Sequence, residues 1–194
     1  QEFHRFLQEE FKPLFEKIVS WCKASLNNEG LSFTKEISQE EKILSPSDFG
    51  FHNALRQENG KIVFLDFEYF GWDDPAKTIA DFLLHPAMKL NEDFKKQFVQ
   101  QVLTGLKENK KISQRLKVVY PLFGLKWCMI LLNEFIPEYV LRRKFASTGN
   151  LDEDLQQKQL LKAKEMLLKI NKEYKNIPYM AGFPKVDPNN DSAV

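Results

Sequence analysis

The stretch "NALRQENGKIVFLDFE", residues 53–68, holds two runs of strand-forming residues around Glu58-Asn59-Gly60. Asn-Gly is the strongest short hairpin signal, because both residues tolerate the positive φ that a two-residue type I′ turn demands. A turn at Asn59-Gly60 places Leu55 opposite Phe64, and the same register places Asn53 opposite Asp66. Opposed residues share a face, with Cβ atoms roughly 5 Å apart. Glu68, two residues beyond Asp66, falls on that face if the strand continues. Upstream, "SPSDFGF" is too broken by Ser, Pro and Gly for a helix interior, so Asp48 stands in the loop feeding the first strand.

An amide oxygen and carboxylates converging on one point suit Mg²⁺, which prefers hard oxygen ligands and leaves room for phosphate and water. A further carboxylate held off the metal can accept a proton from a hydroxyl. Phosphoryl transfer divides the labour in this way. Singly, each residue has a simpler reading: D-x4-N is common by chance, and Asp48 in a loop reads as an Asx-turn residue. Only the register joining Asn53 to Asp66 favours the metal site.

The rest of the chain supplies a helical frame. With 194 residues and 43% hydrophobic content, it is long enough for one substantial core. Apolar residues recur at helical spacing from Phe3 to Cys22, and Pro13 is expected to divide that run. Ser38 and Glu41 form a capping box that opens a short helix ending before Pro46. Helices are predicted at Pro75–Leu84, Glu92–Lys107, Ser113–Phe145 with a kink at Pro121, and Asp152–Tyr174. The fold class expected is α+β and predominantly helical. Residues 182–194 are polar and broken by Pro, and read as a flexible tail.

A net charge of +1 points to neither nucleic acid nor an anionic membrane. The basic residues Lys107, Lys110, Lys111, Arg115 and Lys117 read as solvated helix faces. Val118–Ile136 is apolar, but Pro121, Gly124, Lys126, Asn133 and Glu134 interrupt it, which favours a buried core helix over a membrane span. Cys22 and Cys128 lie far apart with no CxxC, so a reducing, cytoplasmic setting is expected. His4, His52 and His85 lack zinc-site spacing. His52 is expected to alternate away from Asn53 and to pack.

Asp48-x4-Asn53, a hairpin, and then "FLDFEYFGWDDPAKTIADF" resembles the C-terminal lobe of the aminoglycoside phosphotransferase and choline kinase family, whose fold is protein-kinase-like. The specific likeness covers residues 40 to 85. It implies a small-molecule kinase moving the ATP γ-phosphate to a substrate hydroxyl, with ATP as co-substrate and Mg²⁺ as cofactor. Asp48 would be the catalytic base, Asn53 and Asp66 would ligate Mg²⁺, and Glu68 would support them or hold a second metal. The hairpin would carry the metal site of a lobe spanning residues 1–181.

Two positions depart from the family pattern. Pro46 stands where the family has a histidine, and Thr78 stands where an aspartate braces the catalytic loop; Asp81, a turn later, is the expected substitute. The chain has no G-x-G-x-x-G and begins with Gln, so the nucleotide lobe is expected to lie outside it, and the fragment alone should bind ATP poorly. Trp72 and Asp73, in the loop after the metal strand, and Trp127 and Glu134, on a later helix, are the candidates for the acceptor pocket. The alternative function is a non-catalytic, pseudokinase-type binding module.

Overall fold

The computed structural model describes residues 1–106, 109–146 and 154–180, so the tail expected at 182–194 lies outside the described residues. The fold is α+β and mostly helical. Helix α1 (Glu2–Arg5) passes through a π-helical turn, Phe6–Phe11, into α2 (Lys12–Asn28). Pro13 does not divide the run into separate helices. The run is continuous, and Pro13 follows directly on the widened turn in which Lys12 N–H reaches the Leu7 carbonyl, the π-type irregularity that a helix uses where the regular ladder is interrupted.

Among the described residues, four strands of three residues follow: β1 (Ile43–Ser45), β2 (Ala54–Arg56), β3 (Ile62–Phe64) and β4 (Gly71–Asp73). β2 and β3 form the expected hairpin, and β1 pairs antiparallel with β4 around it. The predicted short helix is a single 3₁₀ turn, Gln39–Glu41, where Ser38 N–H donates to the Glu41 carboxylate at 3.0 Å. The β1–β4 pair was not foreseen, because three residues show no period. Its register sets Leu44 against Trp72 and Ser45 against Gly71.

Helices α3 (Pro75–Leu84), α4 (Glu92–Gly105), α5 (Asn109–Leu131), α6 (Pro137–Ala146) and α7 (Leu155–Glu173) complete the fold. The long helix predicted to reach Phe145 stops at Leu131 and continues as a 3₁₀ turn, Leu132–Phe135. The break belongs to Pro137, which forces Ile136 into extended backbone, and not to Pro121, which lies buried within α5. α5 is the central helix, packed between α3 and α7. The stretch Lys110–Phe135 is long and apolar enough to cross a membrane, and half of its most apolar window is buried inside this fold.

α3 is held at its start and buried along most of its length. The Asp74 carboxylate caps it by accepting Ala76 N–H at 2.9 Å, and pairs with the Arg115 guanidinium of α5. Ile79, Ala80, Leu83 and Leu84 then enter the core beside Ile18, Cys22, Leu116 and Tyr120. Cys22 and Cys128 are free thiols in that core, each pushed up to about 12 by burial. With α3 fixed from both sides, its two ends become rigid platforms for the loops described next.

Candidate active site

The hairpin turn contains three residues, not two. Gly60 N–H donates to the Gln57 carbonyl at 2.9 Å, and Gln57 N–H to the Lys61 carbonyl at 2.8 Å. Gly60 has φ +83°, whereas Asn59 keeps a negative φ and uses its side-chain oxygen to accept Lys61 N–H at 2.9 Å. Type I′ needs positive φ at both positions, so the chain adopts the alternative with a left-handed glycine ending a three-residue loop. The register consequently moves by one residue: Ala54 opposes Phe64, and Leu65 N–H donates to the Asn53 carbonyl at 2.8 Å. Asn53 therefore faces Leu65. The cross-strand pairing of Asn53 with Asp66, from which the metal site was inferred, is not present.

Asp66 lies just past the paired residues with φ 59°, in the left-handed region. Alternation therefore ends at Leu65 and no longer dictates the direction of Asp66 or Glu68. Both are exposed. The Tyr69 phenol is raised above the usual tyrosine value first by its hydrogen bond to Glu68 and that residue's charge, then by slight desolvation, and then by the charges of Asp66 and Asp48. Three carboxylates thus act on one exposed phenol.

The loop bearing Asp48 is tightly built. Asp48 N–H donates to the Pro46 carbonyl at 2.8 Å across Ser47, whose φ is 63°. A three-residue turn with positive φ at its centre is rare and strained. It is held from outside the loop. Ser47 N–H donates to Ser45 Oγ at 3.1 Å, Ser45 Oγ meets Thr78 Oγ1 at 2.9 Å, and Lys77 Nζ donates to Ser47 Oγ at 3.1 Å. Thr78 thus braces the loop itself, through the buried hydroxyl of Ser45. Asp81, the expected substitute, accepts from Trp127 Nε1 at 3.1 Å and Lys126 Nζ at 3.4 Å, and meets the loop only through Lys77. Burial holds the Asp81 carboxyl above the usual aspartate value despite Lys126, Lys77 and Trp127.

The Asp48 carboxylate is gripped from two directions. Asn53 Nδ2 donates to Oδ2 at 3.1 Å and to the Asp48 carbonyl at 3.0 Å. His52 Nε2 lies 2.9 Å from Oδ1, and His85 Nε2, at the end of α3, lies 3.9 Å from the same atom. Burial alone would raise this carboxyl. The His52 hydrogen bond and charge, the Asn53 amide and the His85 charge outweigh that and hold it below the usual value. Even so, the side chain remains 43% exposed.

His52 was expected to point away from Asn53 and does not. Residues Phe51–Asn53 form a 3₁₀ turn, in which successive side chains fan around an axis instead of alternating. Its ring stacks on His85 with centroids 3.8 Å apart and planes 2° from parallel, and Trp127 meets His85 edge-on at 4.5 Å. Trp127 therefore reaches Asp48 through two imidazoles. Asp73 is spent on Lys77 and on Asp74 N–H, at the start of α3. Trp72 is 59% exposed on β4. Glu134 is buried in the turn after α5, its carbonyl accepting Gln156 Nε2 of α7 at 2.8 Å.

Sequence reasoning missed His85, Ser45, Lys77 and Gly50. Gly50 has an extended φ of 173°, which any residue can adopt, so space alone requires glycine there. A Cβ at that position would stand 2.6 Å from His52 Nδ1 and Cε1 and 2.8 Å from Met88 Sδ. Gly50→Ala is expected to lower stability by about 1–3 kcal/mol and to turn the His52 ring, which a thermal melt and the imidazole NMR signals would show together. An unchanged melt and ring signal would contradict the packing described.

His85 also sets a pH dependence. Burial, then repulsion from His52, lowers it to about 4 against a weaker pull from Asp48. A group depressed in the folded state stabilises the fold fully above its unfolded value of about 6.5 and loses that contribution as pH falls through the folded value. Unfolding free energy is therefore expected to fall between pH 6.5 and about 4, with the slope reduced in His85→Gln. Parallel curves for the two proteins would contradict this.

Comparison with protein-family profiles, with curated proteins and with solved structures finds no match to this chain, so its site must be read from its own geometry.

Proposed function

We propose that this chain is the catalytic, acceptor-binding part of a Mg²⁺-dependent phosphotransferase that moves the γ-phosphate of ATP to a hydroxyl on a small molecule. One observation carries the reading: the Asp48 carboxylate is fixed by Asn53 and His52, yet remains 43% open to solvent. A structural aspartate is ordinarily consumed by its partners. A held but open one is arranged to meet something not yet bound, as a general base must.

Backbone strain supports the same residues. Among the described residues, the non-glycine residues with left-handed backbone are Ser47, immediately before Asp48, and Asp66. Each costs on the order of 1–3 kcal/mol and persists where the surroundings enforce it, which happens mostly at functional sites. Asn53 commits Nδ2 to Asp48, leaving its amide oxygen for a cation. Asn53, Asp66 and Glu68 together offer only hard oxygens, the donor set that Mg²⁺ takes. When bound there, Mg²⁺ would neutralise phosphate charge; Asp48 would orient the acceptor hydroxyl and take its proton.

The two short sheets and the segments beside them leave Leu44, Phe51, Leu55, Phe67, Tyr69 and Trp72 exposed. Leu44 and Trp72 stand opposite each other in the β1–β4 register, and a nucleotide-binding lobe is one occupant that suits such exposed apolar side chains. The test is ³¹P NMR of Mg·ATP with amino sugars, sugars and amino alcohols, using the full natural chain. Formation of a phosphomonoester that requires Mg²⁺ is the expected result. Nucleotide binding with no transfer to any acceptor would favour a pseudokinase-type binding module instead.

A further inference from the structure

The donor atoms of Asp48, His52 and His85 lie within 4.8 Å of one another, close enough to suggest a cation. Hydrogen bonding argues otherwise. His85 Nδ1 accepts the Ala87 backbone N–H at 3.1 Å, so in the neutral ring the proton sits on Nε2, the nitrogen that faces Asp48. A histidine that ligates a metal donates its other ring N–H to an acceptor, and Ala87 supplies a donor there instead. His52 Nδ1 is buried without a partner, so that ring too finds no acceptor behind it, while its Nε2 sits 2.9 Å from Asp48 Oδ1. Parallel rings 3.8 Å apart also aim their lone pairs side by side, not at one point.

We infer that His52 and His85 are positioning residues for Asp48: His52 presents Nε2–H to one carboxylate oxygen, and His85, whose Nε2 stands 3.9 Å from that oxygen, holds the His52 ring in place by stacking. This rests on the reading of Asp48 as the base. His52 makes the direct bond to Oδ1, and Asn53 holds Oδ2 at 3.1 Å. His85 keeps the His52 ring upright by stacking. His85 itself is fixed by Ala87 N–H on one nitrogen and by the Trp127 edge. The floor under His52 is the bare Cα of Gly50, and Met88 Sδ accepts Phe51 N–H at 3.1 Å beside it. The carboxylate cannot swing without moving this stack, yet each oxygen retains a free lone pair for a hydroxyl. Pro46 at the family's histidine position thus need not leave the base unsupported, since the supporting imidazoles come from other elements.

The first test is independent of any turnover. ¹⁵N NMR of the histidine side chains at neutral pH should show protonated Nε2 on both rings and bare Nδ1 on His85, with the His52 Nε2 signal moved by Asp48→Asn. One equivalent of Zn²⁺ should leave the His85 signals in place. Protonated Nδ1 on His85, or its signals shifting as zinc binds tightly, would overturn the inference in favour of a metal site. In turnover assays, His52→Leu should lower kcat by on the order of 10²-fold, since a misplaced group costs about that much, with the KM for Mg·ATP little changed. His52→Gln, which keeps an N–H donor, should recover most of the loss. Equal losses in both variants would overturn the positioning role. Absence of turnover in the wild type would overturn the kinase reading and leave the NMR result to decide the geometry.

Discussion

Asp48→Asn is expected to reduce turnover by about 10²–10⁴-fold, the range that a positioned general base contributes, while leaving the fold in place. The substitution keeps size and shape, and an asparagine oxygen can still accept from His52 Nε2, now 2.9 Å from Oδ1. What changes is Oδ2, where an amide NH₂ would face the Asn53 NH₂ that now donates across 3.1 Å. The variant loses proton-accepting capacity and one orienting bond together. Its stability should fall by no more than one lost hydrogen bond costs, about 0.5–1.5 kcal/mol, so that a loss of activity this large cannot be assigned to unfolding. Steady-state kinetics and a melt on the same preparation check both halves. Unchanged turnover would remove Asp48 from the chemistry.

The second large effect concerns the frame. Gly124 of α5 lies against Ile170 of α7 so closely that an added Cβ would stand 2.2 Å from its Cγ1 and Cδ1. Ile170 is fully buried, so it has nowhere open to retreat. Ile170→Ala should cost about 2–5 kcal/mol through lost burial and the cavity left. Gly124→Ala should cost about 1–3 kcal/mol through overpacking. Combined, the two should cost clearly less than their sum, because the new methyl enters the space that the isoleucine vacates. Urea unfolding of the four proteins measures this directly. Strict additivity would mean that the α5–α7 seam is looser than described.

Much of the frame was legible from period and punctuation. Pro75–Leu84 came out as expected because Asp74 caps it, Pro75 opens it, and apolar residues follow at helical spacing. The hairpin was legible but its register was not. Asn-Gly permits two turn geometries, and the choice depended on whether Asn59 took positive φ or used its side chain as an acceptor for Lys61. That choice shifts every opposed pair by one, so the strand register does not set Asn53 against Asp66, although Asp48 and Asn53 do meet. They meet through a bend in the loop, an i to i+5 contact that no strand alternation describes. His85 was out of reach for another reason. It lies 37 residues from Asp48, and only the packing of the α3 terminus under the loop joins them. The role of Thr78 was hidden likewise, since a hydroxyl brace has no pattern until Ser45 is seen opposite it.

In the proposed reading, Asn53, Asp66 and Glu68 hold a divalent ion beside Asp48. Mn²⁺ binding followed by electron paramagnetic resonance, on the full natural chain with a non-hydrolysable ATP analogue, tests it most directly. The account predicts a Mg²⁺-competable site that is lost in Asp66→Ala and retained in His85→Gln. Retention in Asp66→Ala together with loss in His85→Gln would contradict it.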